Sequence, residues 1–400
     1  MTLPEWVNIP PLVAGKNPAE TTVVVAMSGG VDSSCVAALC HALGYKTIGM
    51  TLQLWDYTPS APLRGDTPAS NGGTTKQFGT CCALDDVYDA RMVCQTLGIP
   101  HYVLNMETAF KAAVIDDFVE TYLAGATPIP CVRCNQRIKF KELLDKAKTL
   151  GADVLVTGHY VRKAWVDGKA VLMRGDDPLK DQSYYLFTTT QEQLEFLEFP
   201  LGRLEKPRVR ELAKALGLHV HGKKDSYDIC FVPGGDYRAV VKKFAPEADA
   251  PGNVVDEAGN VLGRHDGIVG YTVGQRKGLP GGSAEPLYVV EIKPDTREVV
   301  VGPRASLGRR VFTVKELNWL QDDRVTGLQE YPVVVKVRAQ HGGSAGVVRM
   351  LGEGRAEVVL EAAEDQISPG QAAVFYTSHG VMVGGGWIEG GARVGKVLIQ

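Results

Sequence analysis

Apolar residues recur along the first half of the chain in two alternating patterns. Short runs rich in β-branched residues predict strands, and stretches with apolar residues three or four positions apart predict helices. The predicted strands are Thr22–Met27, Lys46–Leu52, His101–Asn105 and Asp153–Thr157, and the predicted helices are Ser33–Leu43, Asp85–Leu97, Thr108–Leu123 and Asn135–Leu150. Because these strands are apolar on both faces and alternate with helices, we expect an α/β domain with a parallel sheet over residues 22–220. Residues 1–21 precede it as an N-terminal extension.

The second half of the chain has a different pattern, in which glycines separate short apolar runs and turn residues recur at intervals of about ten positions. The runs are Val254–Val255, Gly267–Val273, Leu287–Ile292, Val299–Val301, Val333–Val337, Ala356–Leu360, Ala372–Tyr376 and Val397–Ile399. This spacing predicts antiparallel β structure. We expect a small connecting domain over residues 221–300 and a barrel or sandwich over residues 301–400.

One connection, Asp56–Thr80, is rich in Pro, Gly, Ser, Thr and Asn and has no apolar periodicity. Loops of this length inside a compact domain are usually functional or inserted segments. The segment is therefore interpreted as either a lid or an insertion.

Composition excludes several classes of protein. The chain has 400 residues, 44% of them hydrophobic, and a net charge of −3, which excludes a disordered or fibrous chain. The N-terminus has neither the basic nor the apolar region of a signal peptide, and no apolar run is long enough for a membrane span. We therefore expect a cytoplasmic protein with no membrane partner. Eight cysteines in a chain of this length do not indicate a disulfide framework.

Basic residues are concentrated in three segments. Residues 131–148 hold six basic and two acidic residues, residues 202–224 hold seven and two, and residues 303–315 hold four and none. Each segment alone is typical of a solvated helix face. Together they favour a polyanionic partner that is contacted in patches.

The segment Ser28-Gly-Gly-Val-Asp-Ser-Ser34 ends the first predicted strand and begins the first predicted helix. Glycines allow close approach to a phosphate, helix amides point at the anion, and Asp32 suits a Mg²⁺ ion that bridges phosphates. The segment lacks the lysine of a Walker A loop. A glycine-rich turn that merely caps the helix is the alternative. The motif resembles the PP-loop of the N-type ATP pyrophosphatases, which adenylate a carbonyl oxygen and release pyrophosphate.

Two cysteine positions lie beside basic residues. Cys134 ends the Cys131-Val-Arg-Cys134 motif before the basic predicted helix, and Cys230 follows Lys223 and Lys224. A thiol near a helix N-terminus and arginines is expected to have a lowered pKa and thiolate character. Two alternatives stay open: a structural zinc site that also uses Cys81-Cys82, and a [4Fe–4S] cluster held by Cys131, Cys134 and Cys230. Cys35, Cys40 and Cys94 are interpreted as buried, inert thiols.

Further motifs extend the resemblance over nearly the whole chain after residue 21. They are Cys131-Val-Arg-Cys-Asn135, Ile138-Lys-Phe140, Thr157-Gly-His-Tyr160, Lys180-Asp-Gln-Ser-Tyr-Tyr-Leu186, Asp225-Ser226, Cys230-Phe231, Gly267-Ile-Val-Gly-Tyr-Thr-Val-Gly-Gln-Arg-Lys-Gly278, Ser368-Pro-Gly-Gln371 and Gly384-Gly-Gly-Trp-Ile388. With the PP-loop, this set resembles the bacterial tRNA-specific 2-thiouridylases. The resemblance implies a PP-loop domain of the adenine nucleotide α-hydrolase type, a small connecting domain that carries Cys230, and a C-terminal antiparallel β-barrel.

The resemblance also implies a reaction. In that family ATP adenylates O2 of the wobble uridine in tRNAs for Lys, Glu and Gln, a cysteine persulfide supplies sulfur, and AMP leaves. By position, Cys230 corresponds to the persulfide carrier, and Cys134 to the nucleophile that releases sulfur or resolves the persulfide as a disulfide. A persulfide donor, such as a cysteine desulfurase or a relay protein, is the implied protein partner.

Binding residues follow from the same resemblance. The ATP-binding residues are Ala26, Met27, Ser28, Gly29, Gly30, Val31, Asp32, Ser33, Leu52 and Gly158. The tRNA-binding residues are His159, Lys180, Asp181, Gln182, Arg338 and Gln371, and Ile129, Pro130 and Cys131 correspond to the residues that face the target base.

This chain departs from the family at two of those positions. Ile129 replaces an Asn, which removes a polar group near the base, and Cys131 replaces the Asp of many relatives, to which acid/base work is assigned. Cys131 can take that role only as a thiolate, or else serve as a cluster ligand. Two other functions stay open: another PP-loop ligase or amidotransferase, similar to argininosuccinate or GMP synthetase, and a non-catalytic tRNA-binding protein.

Overall fold

The computed structural model describes residues 3–55, 84–225, 228–279, 285–320, 330–365 and 367–390. The predicted lid or insertion Asp56–Thr80, the pair Cys81-Cys82 and the predicted run Val397–Ile399 lie outside the described residues. Within the described ranges, no helix has both the length and the apolar character that a bilayer crossing requires.

The described elements comprise strands, α-helices and shorter helical segments. The strands are β1 Thr22–Met27, β2 Lys46–Gln53, β3 His101–Asn105, β4 Val154–Val156, β5 Val161–Val166, β6 Lys169–Arg174, β7 Leu197–Glu198, β8 Gly252–Asp256, β9 Val261–His265, β10 Tyr288–Lys293, β11 Glu298–Gly302, β12 Arg309–Trp319, β13 Tyr331–Lys336, β14 Ser344–Gly352, β15 Arg355–Glu364, β16 Ala372–Tyr376 and β17 Met382–Ile388. The α-helices are α1 Val31–Ala42, α2 Leu84–Leu97, α3 Glu107–Phe110, α4 Asp116–Leu123, α5 Pro130–Arg133, α6 Leu144–Thr149, α7 Gln191–Phe196, α8 Lys206–Ala215 and α9 Tyr237–Phe244. Two π-helices cover Lys111–Ile115 and Cys134–Leu143, and single 3₁₀ turns cover Pro18–Glu20, Ser183–Leu186, His219–Gly222, Pro233–Gly235, Pro246–Asp249, Ile268–Gly270 and Arg304–Ser306.

The chain divides into two compact units. The first unit comprises residues 1–111, 141–159 and 196–236, and the second comprises residues 112–140, 160–195 and 237–400. The first unit contains a five-stranded parallel sheet in the order β3-β2-β1-β4-β7. Its central strand is buried on both faces, since Val23, Val24 and Val25 have no exposed surface. The predicted parallel α/β sheet is confirmed.

The observed bounds of the strands and helices predicted in the first half of the chain differ from the predicted bounds by at most two residues, except for one helix. The helical stretch predicted over Asn135–Leu150 begins at Pro130 and passes through the π-helix Cys134–Leu143 before α6. Proline suits the first turn of a helix because the missing N–H has no acceptor there. Cys134 therefore follows the first helical turn instead of preceding it, which corrects the predicted boundary.

The second unit is mainly β structure and also contains the helices α4, α5 and α9. It contains the hairpin β5–β6, a four-stranded sheet in the order β10-β11-β8-β9, and a closed barrel in the order β12-β15-β14-β13-β16-β17. The six barrel strands pair antiparallel throughout, which confirms the predicted C-terminal barrel. One predicted strand is wrong: the apolar run Gly267–Val273 forms a 3₁₀ turn at Ile268–Gly270. Its apolar character reflects burial, because Ile268 packs into the core of the four-stranded sheet.

A buried tyrosine ties the 3₁₀ turn Ser183–Leu186 to the barrel. The Tyr184 hydroxyl donates to the carbonyl of Ala372 at 3.0 Å and accepts from the Ala372 N–H at 3.2 Å. The ring is 1% exposed, so neither backbone group of Ala372 has water as a substitute partner. This hydroxyl therefore satisfies the first residue of β16.

Tyr184→Phe should lower the free energy of unfolding by about 1–3 kcal/mol, because both buried Ala372 groups lose their partner. Urea denaturation measures the change. Tyr102→Phe is the matched control, since Tyr102 is 47% exposed and should change stability by less than about 0.5 kcal/mol. Equal midpoints for the two variants would contradict the account.

Candidate active site

The PP-loop motif forms the turn between β1 and α1 at the carboxyl edge of the parallel sheet. The Ser33 hydroxyl accepts from the Ser28 N–H at 3.0 Å, and the two hydroxyl oxygens are 3.1 Å apart. Gly29 has a φ of +66°, and a β-carbon there would lie 2.1 Å from the carbonyl oxygen of Asp86. Only glycine permits this approach, so the loop packs its backbone directly against the first turn of α2.

Gly158 approaches the same turn from the end of β4. A β-carbon at Gly158 would lie 3.0 Å from the Ser33 nitrogen, so the helix N-terminus and this loop are in backbone contact. Of the other predicted ATP-binding residues, Met27, Val31 and Leu52 are buried. The first unit thus brings Ser28–Ser33 and Gly158 together, at the carboxyl edge where parallel α/β sheets bind ligands.

Two lysines that no motif assigned to the nucleotide site form hydrogen bonds with residues of this loop. The Lys206 ammonium donates to both Asp32 carboxylate oxygens at 2.7 Å and lies 2.9 Å from Asp225 Oδ1. Lys223 donates to the carbonyl of Gly29 at 3.1 Å and also pairs with a carboxylate of α2, Asp86, at 2.7 Å. Both lysines belong to the basic segment 202–224, so charge concentration was the available signal.

Burial and charge oppose each other at Lys223. Burial lowers the pKa of the Lys223 ammonium, but the hydrogen bonds and charges of Asp86 and Asp89 outweigh it, so the pKa lies above its ordinary value. The lysine is therefore charged at neutral pH, which holds the amino end of α2 against the PP-loop.

The expected magnesium ion would need oxygen ligands at this loop. Mg²⁺ usually takes one or two carboxylates together with phosphate oxygens and waters. The Asp32 carboxylate, on the same loop as the Ser28 and Ser33 hydroxyls, fits that donor set when a nucleotide supplies the rest and Lys206 releases the two carboxylate oxygens that it binds. No group of three or more His, Cys, Asp or Glu side chains placed to hold a metal ion is found among the residues that the structure describes. The structure therefore gives the iron–sulfur and zinc alternatives no support, and they stay predictions.

The predicted cysteines differ in accessibility. In the second unit Cys131 is exposed and Cys134 is 6% exposed, and in the first unit Cys230 is partly exposed. Phe231, next to Cys230, is buried and packs edge-to-face on Phe110, with ring centroids 5.7 Å apart. Of the residues expected at the target base, Ile129 and Pro130 are buried, so Cys131 is the accessible one of the three.

Cys35, Cys40 and Cys94, in the described part of the first unit, are buried. Burial is the main cause that raises the pKa of Cys35 to about 12 and of Cys94 to about 11, and it also raises the pKa of Cys40. Thiols with such values form almost no thiolate at neutral pH. This supports their interpretation as inert thiols.

Asp181, a predicted tRNA-binding residue, points into the second unit. Its side chain is 1% exposed and accepts from the Arg174 Nε–H at 3.1 Å and from the backbone N–H groups of Gly175 and Ser183 at 3.2 and 3.0 Å. The ammonium of Lys336 lies 3.8 Å away. The carboxylate thus fixes the turn that follows β6.

The other predicted tRNA-binding residues are at least partly accessible. Lys180, Gln182, Arg338, Gln371 and His159 are all half-buried. Gln182 Oε1 accepts from the Tyr160 N–H at 3.0 Å, Gln371 donates to the carbonyl of Thr127 at 3.1 Å, and His159 Nδ1 lies 2.8 Å from the Thr157 hydroxyl. His159 belongs to the first unit and the other four to the second.

Family models match three consecutive parts of the chain. Residues 21–234 match the tRNA methyl transferase HUP domain, residues 238–303 the tRNA methyl transferase PRC-barrel domain, and residues 309–388 the aminomethyltransferase beta-barrel domain. The first match alone covers more than half of the chain.

Similar full-length proteins carry one name, tRNA-specific 2-thiouridylase MnmA. The protein from Cereibacter sphaeroides is 50% identical over 381 residues, which are 94% of this chain and 97% of that protein. The protein from Jannaschia sp. is 51% identical over 379 residues, 94% of this chain and 96% of that protein. The protein from Paracoccus denitrificans is 50% identical over 377 residues, 94% of this chain and 93% of that protein. The chain therefore belongs to the tRNA-specific 2-thiouridylase family of PP-loop enzymes, which are tRNA sulfurtransferases.

Proposed function

We propose that this protein catalyses the ATP-dependent 2-thiolation of the wobble uridine in tRNAs for Lys, Glu and Gln. The observation that carries the proposal is the PP-loop turn, braced by Lys206 and Lys223, in a chain that also has both Cys134 and Cys230. A ligase or amidotransferase with the same loop needs neither cysteine. Domain boundaries at residues 220 and 300, a persulfide-donating protein partner and a cytoplasmic location are part of the same proposal.

The nucleotide step activates the base. Amides of the turn Ser28–Val31 and the hydroxyls of Ser28 and Ser33 bind the phosphates, and uridine O2 attacks the α-phosphorus so that pyrophosphate leaves. Asp32 is the residue that would hold Mg²⁺, which supplies charge neutralisation on the phosphates. When nucleotide binds, its phosphates offer Lys206 the same negative charge that Asp32 offers in its absence. Lys206 therefore moves from Asp32 toward the phosphates.

The sulfur step transfers the terminal sulfur of a persulfide on Cys230. The Cys134 thiolate attacks the inner sulfur of that persulfide, which forms a Cys134–Cys230 disulfide and releases hydrosulfide. Hydrosulfide adds to C2 of the adenylated uridine, and AMP departs with the original oxygen. The two thiols are oxidised as the sulfane sulfur is reduced to sulfide, so an external thiol must reduce the disulfide before the next turnover.

The proposed tRNA contacts are of two kinds, ion pairs with phosphates and hydrogen bonds. Lys180 and Arg338 supply positive charge for phosphates, and His159, Gln182 and Gln371 supply hydrogen-bonding groups. Asp181 acts from inside by fixing the turn that presents its neighbours. Cys131, which is exposed, offers the base a thiol in place of the carboxylate of relatives, and the buried Ile129 supplies no replacement for their amide.

The first test removes the metal-binding carboxylate. Asp32→Ala should lower tRNA-dependent pyrophosphate release by about a hundredfold or more and leave tRNA affinity within about twofold, because the basic surface is intact. Asp85→Ala, at the start of α2, is the control and should keep wild-type release. Release that needs no tRNA would indicate another PP-loop ligase, and none from the wild type would indicate a non-catalytic tRNA-binding protein.

The second test separates the two cysteines. Cys230→Ser should fail to accept labelled sulfur from a persulfide donor, whereas Cys134→Ser should accept it and still not thiolate tRNA. Thiol labelling and nucleoside mass analysis measure the two steps. Cys131→Ala should retain most thiolation in iron-free buffer. An inactive Cys131→Ala variant, together with iron in anaerobically prepared protein, would replace the persulfide mechanism with the cluster alternative.

The third test concerns phosphate contacts. Lys180→Ala and Arg338→Ala should each weaken tRNA binding and lower the slope of log affinity against log salt by about one. Lys46→Ala is the control, because Lys46 is exposed at the opposite, amino edge of the parallel sheet. Slopes that match the control would remove these two residues from the interface.

A further inference from the structure

Arg133, inside the Cys131-Val-Arg-Cys134 motif, makes polar contacts with three other side chains. Its side chain is 10% exposed, and its guanidinium binds Glu316 through two parallel bonds, Nη1 to Oε2 at 2.7 Å and Nη2 to Oε1 at 3.1 Å. Nη1 also donates to Gln136 at 3.1 Å, and Nε forms an ion pair with Asp117 at 3.0 Å, although its N–H is not aimed along a hydrogen bond. Every nitrogen of this side chain therefore faces a defined oxygen.

The guanidinium also stacks on the barrel. Its central carbon lies 4.1 Å from the ring centroid of Trp387 in β17, which is a cation–π contact. Glu316 lies in β12, the neighbour of β17 in the barrel. A single side chain from the cysteine motif thus contacts two adjacent barrel strands.

Glu316 has an unusual backbone. Four non-glycine residues among those described have positive φ, and three of them, Asp167, Arg297 and Glu353, lie in connections between paired strands, where such values are expected. Glu316, with φ of +48°, lies inside β12, where the register with β17 shifts between Lys315 and Asn318. Such a conformation costs about 1–3 kcal/mol and persists where the surroundings impose it.

Stability does not account for this arrangement. This ion pair contributes little net stability, because Glu316 is 45% exposed and water screens its attraction to Arg133, whose charge must still leave water. The strained backbone adds a further cost. What a bidentate arginine–carboxylate pair supplies is a fixed geometry, since both parallel bonds require one orientation.

We propose that Glu316, acting through Arg133, is a positioning residue for Cys134. Arg133 immediately precedes Cys134, so fixing its guanidinium fixes the helical turn that carries the thiol. We call the pair Arg133–Glu316 the clamp. The catalytic consequence of the clamp rests on the proposed thiolation, whereas its effect on the thiol does not.

The first arm measures the thiol alone. In Glu316→Gln the alkylation rate of Cys134 by iodoacetamide, followed by peptide mass analysis, should change at least about threefold. Glu357→Gln is the matched control, because Glu357 pairs with Arg349 on the same barrel at 2.8 Å, away from the cysteine motif. Equal rates in wild type and Glu316→Gln would overturn the proposal, whether or not the protein thiolates tRNA.

The second arm measures catalysis. Glu316→Gln should lower kcat for thiolation by about tenfold to a hundredfold, with KM for tRNA and persulfide loading of Cys230 unchanged, because only the position of Cys134 is lost. Arg133→Lys keeps the positive charge but cannot form the two parallel bonds, so the kcat of this single variant should be lowered as well. A wild type that never thiolates tRNA would refute the proposed function and leave the first arm to decide on the clamp.

A double variant separates position from stability. Arg133→Met with Glu316→Leu replaces the ion pair by apolar side chains, and the urea midpoint should remain close to wild type because a pair with a half-exposed carboxylate stabilises the fold only slightly. Its kcat should nonetheless fall as far as in Glu316→Gln. Wild-type kcat in this stable variant would show that the pair serves folding alone and would overturn the proposal.

Discussion

The shape of the nucleotide loop depends on close backbone contacts at Gly29 and Gly158, where there is no room for a side chain. At Gly29 the loop passes so close to the carbonyl of Asp86 that a β-carbon would overlap it, and Gly158 meets the start of α1 in the same way. These two approaches set the direction of the α1 amides. Lys206 and Lys223 then compensate the carboxylates gathered around the loop, so the site is held by charge pairs before any nucleotide binds.

In the second unit, buried polar groups play the corresponding part. Tyr184 and Arg133 bind partners far away in sequence, the Asp181 carboxylate lies 3.8 Å from the Lys336 ammonium of β13, and all three side chains are almost wholly removed from water. A buried polar group without a partner is costly, so such contacts allow few alternative arrangements. They hold the segments around residues 130 and 180 on the barrel, and these segments carry most of the candidate tRNA contacts.

Sequence periodicity was sufficient for four of the five parallel strands, because β1 and the strands on either side of it are mostly buried and apolar, but the two residues of β7 are too short a run to show a period. It was insufficient for β12, β14 and β17. In β17 three consecutive glycines hide the alternation, and in β12 the charged residues that face solvent and the bulge at Glu316 interrupt it. The helix predicted to start at Asn135 starts at Pro130, because a proline without an N–H is favourable in the first turn of a helix.

Motifs indicated the candidate site residues, but side-chain direction depends on tertiary contacts. Asp181 lies in a motif that indicates tRNA contact, yet its carboxylate points inward because two backbone N–H groups and Arg174 require an acceptor. Lys206 and Lys223 lie in a basic segment typical of a solvated face. Their pairing with Asp32 and Asp86 depends on how α8 and the turn after it pack beside α1 and α2, which no local pattern encodes.

Nucleoside mass analysis tests the proposed 2-thiolation most directly. Unmodified tRNA for Glu is incubated with the wild-type protein, a persulfide donor and ATP before the analysis. The account predicts 2-thiouridine at the wobble position, formed only when ATP is present, and none in a parallel reaction with a tRNA that lacks a wobble uridine. Thiolation without ATP, or an unmodified wobble uridine while the protein carries a persulfide and hydrolyses ATP, would contradict it.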